Sequence, residues 1–394
     1  MSTEVRPMEE RDRERVVAIH AQAFQVPEYR LIRQRTLPLE RGWVVTQHGR
    51  VVGGLRVDTL GQFFGGRSVS SAIITAVKIA AEAKGKGLGR ALTTEVVRAL
   101  AARGIALSTL YPSSPALYRR VGYGTAGMHV RYRLPITRLG QSRTGQLEEW
   151  GTEVPDEVRR CYRRFAGRHS GLVDRDDTWW QEWIVDPYLD RPTYRYLVRG
   201  DEGVAGYLVF GQSPDPRGDL PYVSTVSCTD FVWLDPAAAR AGLGFLGAQG
   251  PLISSASWPG PVVDPLVSLL DTPPLVASSF HWMTRLLDVP AALAARGYSA
   301  DVDDRISVRV VDETMAANAG TFQLEVRNGR AAVSRGEGPV DCTIDVGGLA
   351  PLYTGWLGAA DLARLGRLEA NDPRVLQRLD AIFAGPVPWL VELV

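Results

Sequence analysis

The chain has 394 residues, 45% hydrophobic and 23% charged, which excludes wholesale disorder and, at about 150 residues per domain, suggests two or three domains. Its 45 Lys and Arg nearly cancel its 44 Asp and Glu, leaving a formal charge of +1, so no global charge seeks a polyanion and nucleic acid is not an expected partner. Cys161, Cys228 and Cys342 lie far apart with no C-x-x-C pair, indicating neither a disulfide framework nor a zinc knuckle.

In chain order, the charged opening MSTEVRPMEERDRERV lacks the apolar core of a signal peptide. No apolar run reaches the roughly 18 residues of a membrane span, so a cytoplasmic protein without a membrane partner is expected. Glu4–Pro7 reads as a strand and Arg11–Phe24 as a helix. Trp43–Gln47 and Val51–Val57 flank the hairpin turn His48-Gly49-Arg50. Ser71–Ala80 reads as a strand with Ile73, Thr75, Val77 and Ile79 on one side at period two.

Directly after it comes Lys84-Gly85-Lys86-Gly87-Leu88-Gly89-Arg90, then a helix with Leu88, Leu92, Val96 and Leu100 on one face. Ala106–Tyr111 is a further strand. Ser114-Pro115 is the N-cap and first-turn pair of a short helix that Gly122 ends.

From about residue 136 the composition changes. Gln141–Glu153 is polar, and Trp179, Trp180 and Trp183 cluster as a packing group near Asp186-Pro187. Arg195–Arg199 and Val204–Phe210, split by Gly-Asp-Glu-Gly, echo the earlier hairpin and suggest a duplicated domain without the glycine loop. Further on, Phe322–Val326 and Arg330–Val333 flank Asn328-Gly329, a type I′ hairpin signal. Leu362–Leu368 and Val375–Phe383 have helical apolar spacing, and Gly385-Pro386 stops the second. The apolar run Trp389–Val394 is unusual for a chain end and is expected to be buried, carrying its carboxylate inward.

The chemistry concentrates at strand, Lys84–Arg90 and helix. Three glycines remove side chains so that backbone N–H groups approach a pyrophosphate, and the helix start adds partial positive charge to Lys84, Lys86 and Arg90. The pattern is neither a Walker loop nor the dinucleotide G-x-G-x-x-G. Such a turn also serves elsewhere as an ordinary tight connection. The histidines, His20, His48, His129, His169 and His281, have no paired spacing, so no metal site is expected.

The span Ile73–Gly124 resembles the core of the GCN5-related N-acetyltransferases (GNAT), in which a loop [RQ]-x-x-G-x-[GA] holds acetyl-CoA; Lys84 stands where Arg or Gln is usual. Thr75–Arg90, the run Tyr111-Pro112-Ser113-Ser114-Pro115-Ala116-Leu117-Tyr118-Arg119-Arg120-Val121-Gly122-Tyr123-Gly124 and the whole-chain plan resemble the Eis (enhanced intracellular survival) family. The resemblance implies an α/β (α+β) chain of tandem GNAT-like mixed sheets with flanking helices plus a sterol-carrier-like domain. The expected divisions are 1–135, an acetyl-CoA-binding domain; 136–285, a degenerate copy; and 286–394, supplying the C-terminal carboxylate.

It further implies that Val77, Lys78 and Ile79 belong to a splayed strand pairing with the pantetheine arm, and that Lys84, Gly85, Lys86, Gly87, Leu88, Gly89 and Arg90 hold the pyrophosphate. Ser113 and Ser114 would contact the CoA arm. Tyr118 would protonate the departing thiolate, the Val394 carboxylate would accept the amine proton, and a backbone N–H near Val77 would stabilise the oxyanion. The implied acceptor is a primary amine on a cationic substrate, such as an aminoglycoside or a lysine side chain, and the implied assembly a homohexamer. The rival reading is a non-catalytic acyl-CoA or lipid-binding module; Tyr118, in register with the family motif, favours the enzyme.

Overall fold

The computed structural model describes residues 3–140, 147–187, 191–216 and 222–392. Residues 141–146 of the polar segment, and Val394, lie outside the described residues. By contact the chain groups into two compact units, residues 3–127 with 281–385, and 128–280 with 386–392.

The first stretch runs β1 (Thr3–Pro7), α1 (Arg13–Phe24), α2 (Ile32–Arg35), β2 (Gly42–Gln47), β3 (Arg50–Phe64), β4 (Arg67–Ile79), α3 (Leu88–Ala102), β5 (Leu107–Leu110), α4 (Pro115–Arg119) and β6 (Gly124–Pro135). His48 and Gly49 both have positive φ, 49° and 73°, as a two-residue hairpin turn requires. The α3 stripe is buried as the spacing predicts: Leu88, Leu92, Val96 and Leu100 are at most 4% exposed. Each such burial is worth about 1.5–3 kcal/mol. The helix packs on β1–β4, and α1 packs on β3 and β4.

One expectation fails here. Ala76 takes φ 51°, and the register jumps from Thr75 opposite Arg56 to Lys78 opposite Gly54. This bulge breaks period two. Ile73, Thr75 and Lys78 therefore share a face, while Ile79 turns to the other and contacts the space beside Gly53.

The second stretch runs β7 (Leu147–Glu149), α5 (Asp156–Ala166), β8 (Val173–Asp174), α6 (Asp177–Trp179), β9 (Thr193–Gly200), β10 (Gly203–Pro214), β11 (Ser224–Trp233), α7 (Pro236–Gly247), β12 (Ile253–Gly260) and β13 (Leu275–Leu286). A π-helical turn over Trp180–Val185 continues α6. Trp179 and Trp180 are each 2% exposed and pack a core as predicted, while Trp183, 5.3 Å from Trp179, is half-buried. Within this unit β6, β12, β11, β10, β9 and β7 are neighbours in that order, with β11 and β12 parallel. Within the other unit the order is β1, β2, β3, β4, β5, β13, with β4 and β5 parallel.

The last stretch runs α8 (Val289–Ala295), β14 (Asp304–Val311), β15 (Gly320–Arg327), β16 (Arg330–Arg335), β17 (Cys342–Asp345), α9 (Val346–Thr354), α10 (Ala359–Arg364), β18 (Leu368–Ala370) and α11 (Pro373–Phe383). Its sheet order is β16-β15-β14-β17-β18. Asn328 and Gly329 adopt φ 50° and 73°, the expected type I′ turn. The helix read over Leu362–Leu368 stops at Arg364, because Gly366 enters the left-handed region at φ 66° and Leu368 joins β18. Between sheet and helices, Leu293, Phe322, Leu352 and Leu379 leave a void of only about 10 Å³.

The chain end is buried where described: Trp389 is 2% exposed, Leu390 0% and Glu392 5%. The Trp389 N–H donates to Ser170 O, and His129 Nδ1 lies 2.9 Å from Leu390 O.

Candidate active site

The site begins where β4 and β5 part. Their parallel ladder covers only Ser71–Ile73 against Leu107–Thr109, yet β4 continues to Ile79. Ala76 and Val77 have no partner in the β3 register either, because the bulge falls on them. A strand edge is thus left without ladder partners beside the glycine loop.

The loop follows from local chemistry. Gly85 and Gly87 take φ 77° and 74°, left-handed conformations that L side chains rarely adopt, and a Cβ on either would meet nothing within 4 Å. Gly87 is the N-cap of α3 and supplies no side-chain cap, so the first-turn N–H groups have no capping oxygen. Gly89 permits close packing, since a Cβ there would lie 3.1 Å from Leu117 Cδ1. The nearby Glu82 carboxylate is held 2.6 Å from Arg15, which offsets its negative charge.

A cleft of about 460 Å³ opens between the end of β4, this loop and α4. Of the residues singled out from sequence, Ile79, Lys84, Gly85, Gly87, Leu88, Gly89, Arg90 and Ser114 line it; Val77, Lys78, Lys86, Ser113 and Tyr118 do not. Sequence reading missed Ala83, Ala116, Leu117 and Arg120 on its walls. Arg120 had a signal, since it sits one turn after Ala116 and adds a third cation to the rim. Lys86 Nζ instead reaches Glu82 O at 3.3 Å. Ser114 occupies the N-cap position of α4, but its side chain makes no cap bond.

Tyr118 is 3% exposed on α4, its ring edge-on to Tyr123 at 5.9 Å. Burial pushes its phenol up to about 12, and a hydrogen bond with Ser113 partly opposes this. It therefore holds its proton throughout the neutral range. Lys78 is 3% exposed; burial lowers its amine to about 7. The three cysteines are buried free thiols, each pushed up to about 12 by burial, which makes them poor nucleophiles. Among the described residues no helix is long and apolar enough to cross a membrane.

Family models match three segments: an acetyltransferase (GNAT) domain at residues 4–126, a second at 171–286, and a sterol carrier protein domain at 289–391. The N-acetyltransferase Eis of Mycobacterium tuberculosis is 30% identical over 383 residues, 90% of this chain and 89% of that protein. The chain belongs to the Eis family of GCN5-related N-acetyltransferases. Solved structures agree. A GCN5-related N-acetyltransferase from Anabaena variabilis matches with TM-score 0.94 at 29% identity, and Eis1 from Mycobacterium abscessus with 0.81 at 27%, each covering both chains in full. This Eis-family chain is accordingly an N-acetyltransferase with the expected mixed α/β architecture, and the glycine loop lies in the first of its two GNAT regions.

Proposed function

We propose that the cleft at Lys84–Arg90 binds acetyl-CoA and that the acetyl group passes directly to a primary amine. The carrying observation is the coincidence on one cleft of an uncapped α3 start, two left-handed glycines and Ile79, the end of β4 beyond its ladder with β5. The chemistry of the donors fits the cosubstrate: backbone N–H groups with Lys84, Arg90 and Arg120 suit a pyrophosphate, and the β4 edge suits an amide-bearing arm. When bound, acetyl-CoA supplies the activated acyl group.

This chain's residues do the rest. The Val77 N–H donates to the thioester oxygen as charge develops there. Tyr118 gives its proton to the sulfur. The Val394 carboxylate, directly or through water, takes the proton the amine must lose. The acceptor is a primary amine on a cationic small molecule, with aminoglycosides and lysine side chains the classes to test. The working assembly is a homohexamer, and the domain divisions are 1–135, 136–285 and 286–394. A lipid-carrier role finds no support in the β14–α11 interior, where about 10 Å³ is no room for an acyl chain.

Release of free CoA thiol from acetyl-CoA, measured over aminoglycosides, lysine peptides and small polyamines, tests the reading. Amine-dependent release is expected; binding without release by any amine would replace it with a sensor. Appending a few residues after Val394 moves its carboxylate while keeping every side chain, and we expect transfer to be lost with acetyl-CoA affinity retained. Full activity in that extended chain would remove Val394 as the base.

A further inference from the structure

Lys78 is a buried cation that the reaction scheme leaves unused. Its Nζ lies 3.3 Å from Gln34 Oε1 and 3.3 Å from Ala76 O. The second contact is the informative one. The Ala76 carbonyl and the Val77 N–H belong to the same peptide group, and that group sits in the bulge where neither ladder holds it.

The groups facing the ammonium are few. His20 of α1 is lowered to about 4, first by burial and then by Lys78, so it stays neutral through the working range and adds no charge. Gln34 of α2 is uncharged. On β3 the direct partner is Gly54, and beyond it on the same face Arg56 is held bidentate by Asp58 at 2.6 and 2.8 Å. Burial is the cause acting on Lys78 itself, and among the described residues no carboxylate draws on it. A lysine buried without a counter-ion is costly, and here its charge is aimed at one carbonyl of a left-handed residue.

We propose that Lys78 is a positioning residue: its ammonium, donating to Ala76 O, fixes and polarises the Ala76–Val77 peptide so that the Val77 N–H becomes a stronger donor to the thioester oxygen. A charged donor on the carbonyl draws electron density from the amide nitrogen, and hydrogen bonds in such a chain strengthen one another by about 10–30%. This inference rests on the Val77 N–H being the oxyanion donor.

Because the amine is lowered to about 7, polarisation is present below that pH and lost above it. The direct test is the infrared carbonyl stretch of [1-13C]acetyl-CoA bound to the wild-type chain without acceptor, followed from pH 6 to 9. We expect a stretch below that of free acetyl-CoA at pH 6, relaxing upward through pH 7. In Lys78→Met the stretch should be pH-independent, and kcat at saturating amine about tenfold lower than wild type at pH 6, the ratio approaching one at pH 9, with KM for acetyl-CoA unchanged. Lys78→Arg, charged at every pH, should hold the ratio level. A wild-type stretch lowered equally at pH 6 and 9 would overturn the role of Lys78 while sparing Val77. A bound stretch equal to that of free acetyl-CoA would instead overturn the Val77 reading on which it rests.

Discussion

The two GNAT regions share a strand–helix–strand crossover, and they differ at the helix start. In the first, β4 leaves β5 after Ile73 and α3 begins at Gly87 with no side-chain cap. In the second, β11 pairs with β12 over Ser224–Ser227 and runs on to Trp233, again diverging. It even keeps a bulge, where the register slips between Val209 and Phe210 opposite Thr229. There, however, Asp235 caps α7 by accepting from Ala238 N at 2.8 Å, and Pro236 follows. Arg131 Nη1 takes the Cys228 carbonyl at 2.8 Å. The lesson is that divergence of parallel strands is a property of the plan, whereas an anion site needs the helix start left open and its charge positive.

The second region spends its buried charge on structure. Arg175 donates to Asp230 at 2.6 Å and to Glu392 at 2.8 Å, and Tyr207 also donates to Asp230 at 2.6 Å. The Arg175 guanidinium stacks 3.7 Å from the Tyr162 ring centre. Arg175 just after β8, residues on β10 and β11 and the tail thereby become one network, which seats the segment leading to the chain end.

Four substitutions test this contrast. The largest effect is expected at Tyr118→Phe, which keeps the ring and removes the acid: turnover should fall about 10²–10⁴-fold with acetyl-CoA affinity unchanged, and unaltered turnover would make Tyr118 a packing residue. Arg175→Met should then cost about 3–5 kcal/mol in urea unfolding, because Asp230 and Glu392 are left as unpaired buried acids. A cost below about 1 kcal/mol would show the network to be incidental.

Gly87→Val comes third. Forcing a β-branched residue to φ 74° costs about 1–2 kcal/mol, so acetyl-CoA binding by calorimetry should weaken about tenfold or more, and equal affinity in a folded variant would move the pyrophosphate elsewhere. The smallest is Asp235→Ala, worth about 1 kcal/mol of cap stability. It should create no acetyl-CoA site in the second region, since no glycine loop precedes α7; a second binding event in the titration would show that charge alone had closed that site.

Much of the first region is legible in its amino-acid order. The α3 stripe, the His48-Gly49 turn and the Lys84–Arg90 loop are readable because each depends on residues close in sequence: periodicity buries one face, and glycine readily takes the left-handed φ values required. Leu368 misleads the reading of its helix, since apolar spacing continues past a left-handed glycine.

Other features have no local signal. The bulge at Ala76, an alanine in a β-rich run, exists because β4 must satisfy β3 on one edge while leaving β5 on the other, and it redirects Lys78 to the buried face. Arg175 and Glu392 are 217 residues apart, and only folding makes them partners. Amino-acid order dictates most elements, their apolar faces and the glycine loop, because these follow from short-range sterics and periodicity. Folding settles which strand edge stays open, that Arg175 finds Asp230 and Glu392 and that Lys78 faces a peptide carbonyl, because desolvation and register are set by partners far along the chain.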